Sequence, residues 1–278
     1  MSEQRAFCRQ NLNRHPGNHS IINKGKTIMI EERQPQKNGG SNPVDVWQCT
    51  TPIKQPNLPR ASTQRRMFLQ RGDKILFQGD SITHAFRKPE EVGSSYRLGA
   101  GWVMLLAAQL QAEHPELNLQ FENRGLCGNG IADLIARWES DCLALRPTVL
   151  NLLVGVNETC NRFRYNTGLS LADFKDGYEW LLTSTRKALP QIRLVLCEPF
   201  LLEVDQVTAA WRDDLRERQL IVRELSTKYE ALFVPMQEPL DAAAKITGPA
   251  HWLFDGIHPN AAGQWLIMQN WRQQVLGK

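Results

Sequence analysis

Four short stretches carry side chains whose types and spacing could do chemistry. In Gly79-Asp80-Ser81-Ile82-Thr83 a hydroxyl follows an apolar run. A serine where a strand turns into a helix has its hydroxyl at the rim of a sheet and its amide at a helix N-terminus, which suits a nucleophile. The same serine also reads as a plain helix cap. Thr83 stands where a Gly-x-Ser-x-Gly elbow would need its second glycine, so that motif is absent. The second stretch, Asn123-Arg124-Gly125-Leu126-Cys127-Gly128-Asn129-Gly130, has glycines that let backbone amides approach a phosphate or an oxyanion closely. Their order is not that of a dinucleotide fingerprint. In Gly155-Val156-Asn157-Glu158 an amide side chain follows the most apolar run of the chain, either as a donor to a ligand or as a turn residue. The fourth stretch runs from His251 to Asn260. There His251, Asp255 and His258 would line up as metal ligands on a helix, but Gly256 and Pro259 oppose a helix. In a tight turn, Asp255 instead orients the imidazole of His258.

These residues need elements to hold them. Lys74 to Gln78, Leu117 to Phe121, Val149 to Val154, Ile192 to Cys197 and Ala231 to Val234 read as five strands of four to six residues. Between them apolar residues recur at helical spacing: Trp102, Leu105, Leu106 and Leu110; Ile131, Leu134, Ile135, Trp138 and Cys142; Phe174, Tyr178, Leu181 and Leu182; Trp211, Leu215, Val222, Leu225 and Tyr229. A last helix is expected from Ala261 to about Val275. Strict alternation of strands and helices implies α/β architecture, a five-stranded parallel sheet in a three-layer sandwich, because parallel strands need long crossovers. In such sheets ligands sit beyond the carboxyl ends of the strands, where the first three stretches lie.

Composition narrows the remaining choices. The chain has 278 residues, 42% of them hydrophobic, and no apolar run long enough to span a membrane. No secretory signal is recognisable at the N-terminus, and a cytoplasmic protein is expected. The formal charge of +4 is uneven: residues 1–71 hold 12 Lys or Arg and 4 Asp or Glu, whereas the rest holds 21 and 25. The basic character belongs to the N-terminal segment, so the folded part offers no electrostatic footprint for nucleic acid. Residues 1–67 show no sustained periodicity and read as a basic, largely unstructured extension before a domain at 68–278. The cysteines at 8, 49, 127, 142, 160 and 197 contain no Cys-x-x-Cys pair, and neither a metal nor a cofactor is expected.

Taken together, Gly79-Asp80-Ser81, Asn123-x-Gly125-x-x-Gly128, Gly155-Val156-Asn157-Glu158 and Asp255-x-x-His258 resemble, in order and spacing, the four blocks of the SGNH (GDSL-type) hydrolases. The resemblance spans about residues 72 to 275. It implies a flavodoxin-like sheet and ester hydrolysis through a serine acyl-enzyme, usually without metal, with a small-molecule ester as the partner and neither nucleic acid nor membrane. It assigns Ser81 as nucleophile, His258 as general base and then acid, and Asp255 as the residue fixing the tautomer of His258. It assigns the backbone N–H groups of Ser81 and Gly128 and the side-chain amide of Asn157 to the oxyanion. Glu158 departs from the aspartate most often found there. The compact domain and the polar connection from Arg87 to Ala100 favour a small, acetyl-like acyl group. A long-chain thioesterase or lysophospholipase, or a binding protein on the same fold, are the alternatives. Phe163 and Phe200 are candidate acyl-pocket residues, the tryptophans are expected mostly in the core, and His84 and Cys127 are minor candidates for catalysis.

Overall fold

A computed structural model describes residues 68–91 and 93–277. The expected N-terminal extension, residues 1–67, lies outside them. Five strands, β1 (Lys74–Gly79), β2 (Gln120–Asn123), β3 (Val149–Leu153), β4 (Arg193–Cys197) and β5 (Leu232–Val234), form one parallel sheet in the order β2-β1-β3-β4-β5. The helices between them are α1 (Ser81–His84), α2 (Trp102–Glu113), α3 (Ile131–Ala136), α4 (Trp138–Asp141), α5 (Val156–Tyr165), α6 (Leu171–Ala188), α7 (Ala209–Lys228), α8 (Gln237–Thr247) and α9 (Ala261–Leu276).

Period-two alternation divides the core between the two faces of the sheet. Ile75, Phe77, Val149, Val195 and Val234 pack with Trp102, Leu106 and Leu110 of α2 and Ile267 and Trp271 of α9. Leu76, Leu150, Leu152, Leu194 and Leu196 face the other way, against Ile131 and Leu134 of α3, Phe174 and Tyr178 of α6 and Val222 and Leu225 of α7. Central β3 is buried along its whole length, as its continuous apolar run demands. Its one polar residue, Asn151, accepts from Trp271 Nε1 at 2.7 Å.

Several local expectations shift. β2 begins at Gln120 rather than Leu117, because Pro115–Leu117 form a 3-10 turn that leads into it. The apolar series from Ile131 to Cys142 is two short helices broken at Arg137. The Arg137 guanidinium is held by Asn129 Oδ1 (2.8 Å) and Asp141 Oδ2 (3.0 Å). Trp102, Trp138, Trp211 and Trp271 are buried and Trp252 packs against the core, whereas Trp180 and Trp265 are about half exposed.

Candidate active site

The first strand delivers Ser81 directly. Gly79 ends β1 so close to β3 that a Cβ there would stand 2.2 Å from Leu153 O, which requires glycine. Asp80, not Ser81, is the N-cap of α1: its Oδ1 accepts from Ile82 N at 2.9 Å. Ser81 is the first helical residue, and its hydroxyl is left to other partners.

Those partners come from the chain between α8 and α9. Ser81 Oγ lies 2.9 Å from His258 Nε2, and His258 Nδ1 lies 2.8 Å from Asp255 Oδ2. Asp255 Oδ1 also accepts from the backbone N–H groups of Ile257 (3.1 Å) and His258 (2.8 Å), which folds the segment into the tight turn expected. Gly256 adopts φ +82, and its carbonyl accepts from Leu202 N at 2.8 Å, pinning the turn to the segment after β4. Asn260 caps α9 immediately after Pro259, accepting from Gly263 N at 3.2 Å, so the imidazole is fixed from both sides. Partial burial of Asp255 works to raise its pKa. The imidazole of His258 and the two backbone donors outweigh that, and the carboxyl lies below its ordinary value of 3.8. An ionised carboxylate only accepts, so Nδ1 carries the proton and Nε2 is free to accept from the Ser81 hydroxyl.

The second and third strands bring the proposed oxyanion donors. Leu126 N donates to Gly79 O at 3.1 Å, and Asn123 Nδ2 donates to Thr83 O at 2.6 Å. The loop after β2 is thereby stitched to the chain on both sides of Ser81. Gly128 sits in a turn closed by Asn129 N donating to Leu126 O at 3.3 Å, with φ +78, a conformation that favours glycine. Its surroundings are open: a Cβ there would meet nothing within 4 Å. Asn157 lies in the first turn of α5 rather than in a loop, and its Nδ2 donates to Asn129 O at 3.0 Å. An amide nitrogen has two hydrogens, so one remains for a ligand.

Two acidic residues beside these groups are more unusual than the sequence suggests. Asp80 is buried, its Oδ2 has no hydrogen-bond partner, and burial pushes its pKa up to about 7 against the opposing pull of Ile82 N–H and His258. Glu158 is also buried and its pKa is raised, again chiefly by burial. Its Oε1 accepts from Ile131 N at 2.7 Å. Neither role has a signal in local sequence, because tertiary packing sets both.

The other candidates fall elsewhere. His84 is pushed down to about 4 by burial and by the charge of Arg87. Its Nδ1 accepts from Phe86 N at 3.1 Å and lies 3.5 Å from Cys127 Sγ. Phe200 is fully buried in the core and cannot line a pocket; Phe163 is partly exposed and stacks on Trp211 at 5.2 Å. The ring of Phe254, which no sequence motif singles out, stacks on His258 at 5.9 Å. His251 packs edge-on against Trp252, and among the described residues no group of three or more His, Cys, Asp or Glu could hold a metal ion. Among the same residues no helix is long and apolar enough to cross a membrane.

Comparison with known proteins converges on one family. The model of the GDSL-like lipase/acylhydrolase family matches residues 77–266. An acetylxylan esterase of Geobacillus stearothermophilus is 30% identical over 207 residues, covering 73% of this chain and 94% of that enzyme. A GDSL-like lipase of Parabacteroides merdae has a TM-score of 0.71 at 34% identity, covering 74% of this chain and 97% of that one. The crystal structure of Axe2, an acetylxylan esterase of Geobacillus stearothermophilus, gives 0.70 at 28% identity, covering 75% and 96%. Catalytic variants of Axe2 replace a serine or an aspartate by alanine. The chain is therefore an ester-bond hydrolase, and it belongs to the GDSL-like lipase/acylhydrolase family.

Proposed function

We propose that this hydrolase removes a small, acetyl-like acyl group from a hydrophilic alcohol, through an acyl-enzyme on Ser81. The observation that carries the reading is the unbroken line from Ser81 Oγ through His258 to Asp255, at 2.9 and 2.8 Å. As Oγ attacks the ester carbonyl carbon, Nε2 of His258 takes its proton. The carbonyl oxygen becomes an oxyanion and accepts from the N–H groups of Ser81 and Gly128 and from Asn157 Nδ2. Asparagine supplies a donor without a charge that would retain the product carboxylate. The imidazolium, held by Asp255, then protonates the departing alkoxide as the C–O bond breaks. In the second half-reaction His258 removes a proton from water, which attacks the acyl carbon, and the proton returns to Ser81.

The acetyl preference rests on the acetylxylan esterases that the chain resembles and on the polar connection from Arg87 to Ala100. A series of p-nitrophenyl esters from acetyl to palmitoyl, run beside acetylated xylose and a long-chain acyl-CoA, tests it. Highest kcat/KM is expected for acetyl and butyryl. Each methylene held in an apolar pocket would contribute about 0.8 kcal/mol. An optimum at octanoyl or longer would therefore contradict the small acyl group while leaving the catalytic residues in place.

A further inference from the structure

Two consecutive side chains at the start of α5 grip the loop that carries Gly128. Asn157 Nδ2 donates to the carbonyl of Asn129, and Glu158 Oε1 accepts from the N–H of Ile131. The residue between those two anchor points is Gly130. Its backbone, at φ −110 and ψ −168, is extended and open to any residue. Space is what excludes a side chain. A Cβ at Gly130 would stand 2.5 Å from Glu158 Oε1 and 3.2 Å from its carboxyl carbon. The carboxyl group thus occupies the volume that any other residue at 130 would claim. Glu158 is 3% exposed and its Oε2 has no hydrogen-bond partner, so fit, the N–H of Ile131, its own backbone N–H and the charge of Arg218 hold it.

We propose that Glu158 and Gly130 form a matched pair that sets the position of the oxyanion loop. Glu158 is a positioning residue. It acts through Ile131 N–H and the bare backbone of Gly130 on the N–H of Gly128, two residues upstream. The inference rests on the oxyanion roles given above to Gly128 and Asn157. Gly130→Ala drives the carboxyl away and shifts the loop. Glu158→Asp withdraws the carboxyl by one methylene, about 1.5 Å, and loses the bond from Ile131. A displaced donor costs transition-state stabilisation rather than ground-state binding, so each change is expected to lower kcat about 10- to 100-fold with KM within about twofold. The two effects must be coupled. With aspartate at 158 nothing remains for the added methyl to strike, and Gly130→Ala then costs less than about twofold. With glutamine, which keeps both volume and acceptor, kcat stays within about threefold and the alanine penalty persists.

The test is a set of kcat and KM values on a soluble acetyl ester for wild type, G130A, E158D, G130A/E158D, E158Q, G130A/E158Q and N157A. Active sites are counted by fluorophosphonate titration, so that misfolded protein does not register as slow enzyme. A large kcat loss in N157A together with the coupled pattern supports the proposal. A loss in N157A with G130A and E158D both within about twofold of wild type overturns the matched pair and leaves the oxyanion reading standing. Losses in G130A and E158D that combine without coupling overturn it as well, as does an E158Q variant no better than E158D. Unchanged kcat in N157A overturns the oxyanion reading itself.

Discussion

An aspartate stands at each end of β1, seven residues apart, and the two are used in opposite ways. Asp73, before the strand, is buried with both oxygens engaged. Oδ2 accepts from Gln70 N at 2.6 Å, and Oδ1 accepts from Thr148 Oγ1 at 2.8 Å and from the guanidinium of Arg193. Asp80, after the strand, is equally buried, but only Oδ1 is bonded. Among the described residues, the buried carboxyl oxygens without a partner are Oδ2 of Asp80 and Oε2 of Glu158, and both lie at the rim that carries Ser81 and Asn157. An unsatisfied buried polar group costs about 1 to 3 kcal/mol. The amino ends of the strands are arranged for stability, whereas the carboxyl ends tolerate that cost beside the groups proposed to react, where departures from full satisfaction are expected.

The contrast breaks if changes at the two ends have similar consequences. The largest effect is expected at His258. His258→Ala is expected to lower kcat by about 10⁴ to 10⁶ with little change in melting temperature, and Asp255→Asn to lower kcat by about 10⁴. Activity assays beside calorimetry check both halves of that statement. At the other end of the strand the consequences reverse. Asp73→Ala strips a partly buried guanidinium of its partner, with an expected cost of about 2 to 4 kcal/mol and a fall in Tm of roughly 5 to 15 °C. Its kcat at 25 °C is expected to match wild type; a tenfold loss would show that the two rims are not separate in function.

Asp80 also makes stability depend on pH. Its folded pKa of about 7 lies above the ordinary 3.8, so the native state holds the proton more tightly than the unfolded chain does. The stabilisation is fully present below about pH 4 and is lost as pH rises through about 7. Asp80→Asn keeps the acceptor for Ile82 N–H and removes the titration. The variant is expected to match wild type at pH 4 and to melt a few degrees higher at pH 8, which thermal denaturation across that range measures. Asp255 behaves oppositely: its depressed pKa contributes stability that is fully present above the ordinary value of 3.8 and is lost as pH falls through the lower folded value.

What the sequence conveys follows the range of the interactions. Buried β3 announces itself because Val149 to Leu153 is an uninterrupted apolar run apart from Asn151. The edge strand β2, Gln-Phe-Glu-Asn, has little apolar pattern, and sequence places its start three residues early. Helix α8 is easily passed over because it buries one large apolar side chain, Leu240, beside a run of alanines. Helix α5 is predominantly polar, and its buried side includes Glu158 and Thr159 beside Val156 and Cys160, so apolar spacing alone does not mark it. At the candidate site, Ser81, Gly128, Asn157, Asp255 and His258 are singled out in the sequence because each sits in a short motif whose backbone demands are local. The orphan oxygen of Asp80 and the fit of Glu158 against Gly130 arise from burial and from segments far apart in the chain. No spacing in the sequence encodes them.

The most direct measurement is covalent. A fluorophosphonate probe reacts with a serine hydroxyl activated by its own base, and intact-mass analysis with peptide mapping shows where it lands. One adduct per chain, on Ser81, is expected, with none on Ser81→Ala of unchanged circular dichroism. Labelling that persists in Ser81→Ala, or an adduct mapped to another residue, would contradict the assignment of Ser81, His258 and Asp255 as the catalytic relay.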